Sequence, residues 1–156
     1  MKLTLILTGK TDAGYLTEGT ELYFKRISRY IDFKLIIIPE IKSKKTNVTE
    51  LKSAEGVQIL KNIGSDDYVV LLDENGIELR SVEFAGYLNK KMVAGCRNLC
   101  FIIGGPYGFS KNVYAAANDK ISLSRMTFSH QLIRLIFAEQ LYRAFTILSN
   151  EPYHHE

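Results

Sequence analysis

Phe101-Ile102-Ile103-Gly104-Gly105-Pro106-Tyr107-Gly108 is an apolar run that stops at three glycines and a proline. That is the pattern of a buried strand emptying into a tight loop, and glycine there lets backbone approach a ligand closely. A dozen residues on, Ile121-Ser122-Leu123-Ser124-Arg125-Met126-Thr127-Phe128 mixes hydroxyls with apolar side chains. Ser129-His130 then leads into a long helix ending at Leu148, and the chain closes Asn150-Glu151-Pro152-Tyr153-His154-His155-Glu156.

The segments before this stretch predict its scaffold. Lys2 to Leu7 is β-leaning, and Asp12 stands where it would cap a helix from about Tyr15 to Tyr30. That helix turns Leu16, Leu22, Tyr23, Ile27 and Tyr30 inward, with Lys25, Arg26 and Arg29 near its end. Basic residues there suit the helix dipole or an RNA phosphate, and both readings stay open. Phe33 to Ile38, closed by Pro39, reads as a strand buried on both faces. Asn47 or Thr49 caps a helix to about Ile63 with Leu51, Val57, Ile59 and Leu60 inward. Tyr68 to Leu72 is the third strand, ended by a turn at Asp73-Glu74-Asn75-Gly76, and Ser81 caps a helix to Val93. Asn98 to Ile103, Lys111 to Asn118 and Lys120 to Leu123 complete the pattern as strand, short helix and short strand. Strict β-α alternation predicts one α/β domain over 1–156, a doubly wound, mostly parallel sheet with helices on both faces.

Composition narrows the class. With 46% hydrophobic and 24% charged residues over 156 positions, the chain has the make-up of a soluble domain, and no apolar run reaches the roughly 18 residues of a membrane span. Its N-terminus reads as a first strand and not as a signal peptide, which predicts a cytoplasmic protein. Cys96 and Cys100 are too few for a disulfide framework and lack zinc-site spacing, so they are expected to be buried or half-buried thiols. Adjacent His154 and His155 point in different directions, so no metal site is expected. A net charge of +3 permits an acidic partner without requiring one; Glu40 to Asn47, with Lys42, Lys44 and Lys45, reads as a solvated loop or a flexible arm along a phosphate backbone.

The last helix is apolar nearly all round, from Leu132 to Leu148. Such a helix is covered on two sides. A homodimer packing through Leu135, Phe137 and Leu141 is one solution, and deep burial within one chain is the other.

Three loops, Leu72 to Gly76, Gly104 to Gly108 and Leu123 to Phe128, fall on the carboxyl side of the sheet, where open α/β sheets bind ligands. No G-x-G-x-x-G and no G-x-x-x-x-G-K-[ST] is present, which disfavours a pyrophosphate. Backbone groups beside Leu72, Met126 and Phe128 suit a flat heterocycle. No serine sits in a G-x-S-x-G elbow.

Four pieces together resemble the 23S ribosomal RNA (pseudouridine-N3) methyltransferases of the SPOUT superfamily: Leu72-Asp73-Glu74-Asn75-Gly76; Ile103 to Gly108; Leu123 to Phe128 with His130; and Glu139-Gln140-Leu141-Tyr142-Arg143-Ala144 with Pro152-Tyr153-His154. The resemblance implies a C-terminal trefoil knot and S-adenosyl-L-methionine as cofactor. It places the cofactor on Leu72, Gly104, Gly105, Gly108, Leu123, Ser124, Arg125, Met126, Thr127 and Phe128, and catalysis on His154, Tyr153, Arg143 and His130. It implies as partners a second copy of the chain and the 23S RNA of the large subunit or whole ribosome. At His155 the family often has arginine. A SPOUT methyltransferase of transfer RNA and a non-catalytic ribosome-binding protein on the same fold are the competing readings. Whether a histidine takes the N3 proton or only positions the base stays open. Gly104→Val is expected to abolish cofactor binding with the fold intact, and the tail is expected to cross to a partner subunit.

Overall fold

A computed structural model of the chain describes residues 1–42 and 47–155. Five strands, β1 (Lys2–Thr8), β2 (Asp32–Ile38), β3 (Asp67–Glu78), β4 (Asn98–Ile103) and β5 (Asp119–Ser122), alternate with five helices. The helices are α1 (Gly14–Ile27), α2 (Val48–Leu60), α3 (Ser81–Val93), α4 (Lys111–Ala116) and α5 (Leu132–Leu148). The strand order is β2-β1-β4-β3-β5 and every pairing is parallel. Successive strand residues face opposite sides, and the core divides accordingly. Leu3, Leu5, Leu7, Leu99, Phe101 and Ile103 meet Phe24 and Ile27 of α1, Phe84 and Leu88 of α3, and Phe137, Leu141 and Phe145 of α5. Ile6, Val69, Leu71, Cys100 and Ile102 meet Ile59 of α2 and Val113 of α4 on the other face. No helix among the described residues is long and apolar enough to cross a membrane.

Several local expectations are overturned. β2 is an edge strand, so Leu35 and Ile37 remain 37% and 45% exposed instead of being buried on both faces. Leu22 and Val57 are also exposed. The inward face of α2 carries Ile59, as expected, and with it Glu55 and Gly56; a Cβ at Gly56 would lie 2.3 Å from Ser110 Oγ where α2 crosses the start of α4. Asn47 caps α2 by accepting from the Glu50 amide at 2.8 Å. Ala13, not Asp12, is the N-cap of α1, and the Asp12 amide donates to Gln131 Oε1 at 3.0 Å. Ser81 is the first residue of α3 and not its cap; its hydroxyl donates to Gln140 Oε1 at 2.8 Å, while Glu83 accepts from the Arg80 amide. Lys44 and Lys45 lie outside the described residues; Lys42 is exposed, 3.9 Å from Glu40.

Asp73-Glu74-Asn75-Gly76 does not end β3. Leu72 pairs with Ile121, four residues leave the ladder, and Ile77 returns opposite the same Ile121. The return brings Gly76 so near that a Cβ would lie 2.5–2.7 Å from the backbone of Ile121.

The last helix is largely covered by its own chain. Phe137 and Leu141 are 0% exposed, packed on the sheet and on α1 and α3, so neither can meet a second subunit as the sequence suggested. Leu135 is half-buried against α1, where a Cβ at Gly19 would be 3.0 Å from its Cδ1. Arg134, also 0% exposed, donates to the carbonyls of Thr8 and Gly9 and to Thr11 Oγ1, clamping the end of β1 to the start of α5.

At the opposite end of the sheet, Asp119 accepts from Tyr68 and Tyr87 hydroxyls at 2.7 and 2.8 Å, with Lys91 Nζ at 3.4 Å. Burial pushes its pKa up, but the two tyrosine bonds and Lys91 outweigh burial and hold it below the usual carboxylate range. A depressed carboxylate contributes stability that is full above its unfolded pKa and lost as pH falls through its folded one. We therefore expect Asp119→Ala to lower stability by about 1–3 kcal/mol at pH 7, and the gap to wild type to close as denaturant melts are moved to strongly acid pH. A gap that does not change with pH would remove Asp119 from this role.

Candidate active site

The bulge within β3 at residues 72–75 and the loops after β4 and β5 enclose a cleft of about 590 Å³, within the roughly 300–1,000 Å³ of small-molecule sites. The loops come from the carboxyl ends of β4 and β5, the bulge interrupts β3, and all three segments lie on the β4-β3-β5 half of the sheet. Every residue assigned to the cofactor lines it: Leu72, Gly104, Gly105, Gly108, Leu123, Ser124, Arg125, Met126, Thr127 and Phe128, with His130 at the entry to α5. Gly108 sits at φ +76°, a conformation glycine adopts without strain. Ser122 Oγ donates to the Ser124 carbonyl at 3.0 Å, and Ser124 Oγ accepts from the Met126 amide at 2.9 Å. These local bonds shape a loop of hydroxyl and apolar residues that no regular element holds. Arg125 turns to Glu78 at 2.8 Å.

Asp73, Glu74, Phe109, Tyr114 and Ile133 also line the cleft and were not foreseen. The Tyr114 hydroxyl donates to Asp73 Oδ2; burial and this bond push its pKa to about 12. Asp73 and Glu74 belong to the Leu72 to Gly76 stretch that the sequence already placed among the ligand loops, where only Leu72 was assigned a contact. The cleft thus joins backbone donors and acceptors, an apolar wall of Leu72, Phe128 and Ile133, and two carboxylates. It suits a ligand with a flat heterocycle and positive charge.

Arg143, Tyr153 and His154 are not in this cleft. They form a second cluster where the tail folds back on α5 and α1. Arg143 is held by Glu139 one turn earlier, and this bond raises its pKa further. The Tyr153 ring packs edge-on against Tyr142 with centroids 4.8 Å apart, and the Arg143 guanidinium lies 4.7 Å from the Tyr153 centroid. Tyr153 donates to Glu139 at 3.1 Å and meets the Tyr23 hydroxyl at 3.3 Å; burial first, then these contacts, raise its pKa. Arg143 Nη1 stands 3.4 Å from His154 Nδ1. Arginine only donates, so in this contact Nδ1 accepts and the ring proton belongs on Nε2. His155 is exposed. From Leu132 to Arg143 a helix rises roughly 16 Å, so the two clusters of one chain are separated by more than the length of a small base.

A family model described as "predicted SPOUT methyltransferase" matches residues 1–154. The chain belongs to the SPOUT methyltransferase family. Full-length relatives agree: proteins named ribosomal RNA large subunit methyltransferase H from Parabacteroides distasonis, Porphyromonas gingivalis and Bacteroides thetaiotaomicron are 56%, 52% and 51% identical, each over 100% of both chains. A probable methylase family protein from Haemophilus influenzae shares the fold at a TM-score of 0.52 and 14% identity, over 99% of this chain and 70% of that one. A SPOUT methyltransferase requires a methyl donor.

The structure corrects one expectation for this site. A Cβ at Gly104 would lie 2.9 Å from the ring of Phe109, itself 4% exposed. Gly104→Val must therefore displace a core side chain as well as narrow the cleft. We expect it to lose methyl-donor binding by calorimetry and also to cost about 1–3 kcal/mol in denaturant unfolding. Unchanged donor affinity would remove Gly104 from the site.

Proposed function

We propose that the chain transfers a methyl group from S-adenosyl-L-methionine to N3 of a pseudouridine in the 23S RNA of the large ribosomal subunit, as a homodimer acting on assembled ribosomal particles in the cytoplasm. The observation that carries this reading is identity above 50% over the whole chain to relatives named ribosomal RNA large subunit methyltransferase H. The cleft fits the cofactor: its backbone-rich loops and apolar wall accept adenine, and Asp73 and Glu74 complement its positive charge. Bound there, it supplies a methyl group on a sulfonium, open to in-line displacement. The protein's main contribution is then to position the nucleophile.

Leu72, Gly104, Gly105, Gly108 and Leu123 to Phe128 hold the cofactor in this reading, with the knot that the family resemblance implies bringing their loops together. Tyr153 stacks on the unstacked target base, Arg143 and His154 hold its edge and neighbouring phosphate, and His130 faces the base from the cofactor side. The Arg143–His154 contact favours a positioning role for that histidine over proton abstraction. Because the clusters stand apart on one chain, the site combines the cleft of one subunit with the tail of the other. With Phe137 and Leu141 interior, half-buried α5 residues such as Leu132, Leu135, Ile136 and Ile147 remain for the interface.

Mass mapping of 23S RNA from a strain lacking this protein tests the reading: one pseudouridine should lose a methyl group, and purified protein should restore it. A methyl group lost from transfer RNA instead would select the alternative SPOUT activity, and no binding of S-adenosylmethionine would select a non-catalytic protein. Sedimentation should give twice the 17.7 kDa chain mass.

A further inference from the structure

Ion pairing sorts the arginines of this chain. Arg80, Arg97, Arg125 and Arg143 each meet a carboxylate, Glu83, Asp66, Glu78 and Glu139 in turn. Arg134 is buried in its clamp. Among the described residues, Arg26 and Arg29 have no carboxylate partner and donate no side-chain hydrogen bond; neighbouring Lys25 is exposed and has no ion pair either.

Arg26 is nevertheless fixed in place. Its guanidinium carbon lies 5.4 Å from the centroid of Tyr142 and 5.7 Å from that of Tyr23. Tyr142 in turn meets Tyr153, and Tyr153 meets Arg143. A single strip therefore runs from Arg26 through the rings of Tyr142 and Tyr153 to Arg143, two rings flanked by two guanidiniums. Two carboxylates beside this strip are already engaged, Glu139 by Arg143 and Tyr153, and Glu151 by the Tyr30 hydroxyl at 2.8 Å. Complementing the dipole of α1 requires only a positive charge near its end. That does not account for a guanidinium held over two rings with its donors unspent. Stacked arginine with free donors matches phosphate recognition, and basic residues interleaved with aromatic ones are how proteins follow single-stranded nucleic acid.

We propose that Arg26, with Lys25 and Arg29 beside it, grips the phosphodiester backbone of the RNA strand whose base reaches Tyr153. This rests on the reading of the protein as a ribosomal RNA methyltransferase. It extends the substrate surface from the tail onto α1, so that one subunit presents both the base-stacking ring and the backbone grip.

The test measures kcat/KM on large-subunit particles across a range of monovalent salt for wild type, Arg26→Gln, Arg26→Gln/Arg29→Gln, Arg26→Lys and the ion-paired control Arg80→Gln. Each lost phosphate contact lowers the log–log salt slope by about one. Arg26→Gln should lower it by about one and the double variant by about two, with KM for particles rising roughly tenfold per site at low salt. Maximal kcat and the Kd for S-adenosylmethionine should stay at wild-type values. Arg26→Lys should keep the slope, and Arg80→Gln should match wild type. A wild-type slope in Arg26→Gln overturns the proposal: with KM raised it assigns the patch to a protein contact, and with kcat lowered it assigns Arg26 to tail packing. A wild-type enzyme that leaves particles unmethylated overturns the ribosomal reading itself, and the grip with it.

Discussion

Mixing two individually inactive forms of this chain is expected to restore methylation. The first form lacks Pro152 to Glu156. It keeps the cleft, whose lining ends at Ile133, and should bind S-adenosylmethionine normally yet lose about 10²–10⁴-fold in transfer, the usual worth of a positioning or proton-transfer group. The second carries Phe128→Lys, which sets a cation into the apolar wall of a site for a cationic ligand. Phe128 is 37% exposed, so the fold should tolerate the change. In a symmetric dimer with sites shared between subunits, a heterodimer has one site with both defects and one with neither. Equal mixing makes half the dimers heterodimers, so activity should return to about a quarter of wild type. If heterodimers form and activity stays absent, each subunit holds a self-contained site and the tail acts on its own chain.

The second large effect is expected at Gly76. A Cβ there would sit 2.5–2.7 Å from three backbone atoms of Ile121, and backbone cannot step aside as a side chain can. Gly76→Ala must separate the returning end of β3 from β5. That releases the loop from Leu123 to Phe128, which β5 delivers to the cleft. We expect a loss of about 3 kcal/mol or more, at the upper end of overpacking costs, together with loss of cofactor binding. Gly14→Ala is the control, since nothing lies within 4 Å of a Cβ there. Equal melting of the two variants would show that the crossing at Ile121 is loose.

Much of this was legible in the sequence. Apolar runs closed by Gly9, Pro39, the Asp73–Gly76 turn and Gly104 located the first four strands and Lys120 to Leu123 was read as a short fifth, and the three ligand segments could be placed because a parallel sheet binds ligands on its carboxyl side. What failed did so where neighbours decide. Phe33 to Ile38 looks like a central strand, but an apolar run does not reveal that only one strand pairs with it. Asp73 to Gly76 has turn composition, and only the second pairing of Ile121 shows that the strand resumes. Gly56 reads as a weak point in a helix until Ser110 is seen against it. The apolar girth of α5 was a correct sign of cover on several sides, yet it could not say that α1, α3 and the sheet supply most of that cover. The tail residues were identifiable, but their separation from the cleft could not be.

The clamp made by Arg134 sets a schedule for the newborn chain. It joins carbonyls of Thr8 and Gly9 to a side chain 126 and 125 positions later. Contacts that distant carry a high closure cost and form late. During synthesis the first strand emerges early, but the guanidinium that secures its end is made 125 residues after Gly9, and the tail is made after it. A nascent or prematurely terminated product that stops short of α5 therefore lacks the clamp, the last wall of the cleft and the tail together.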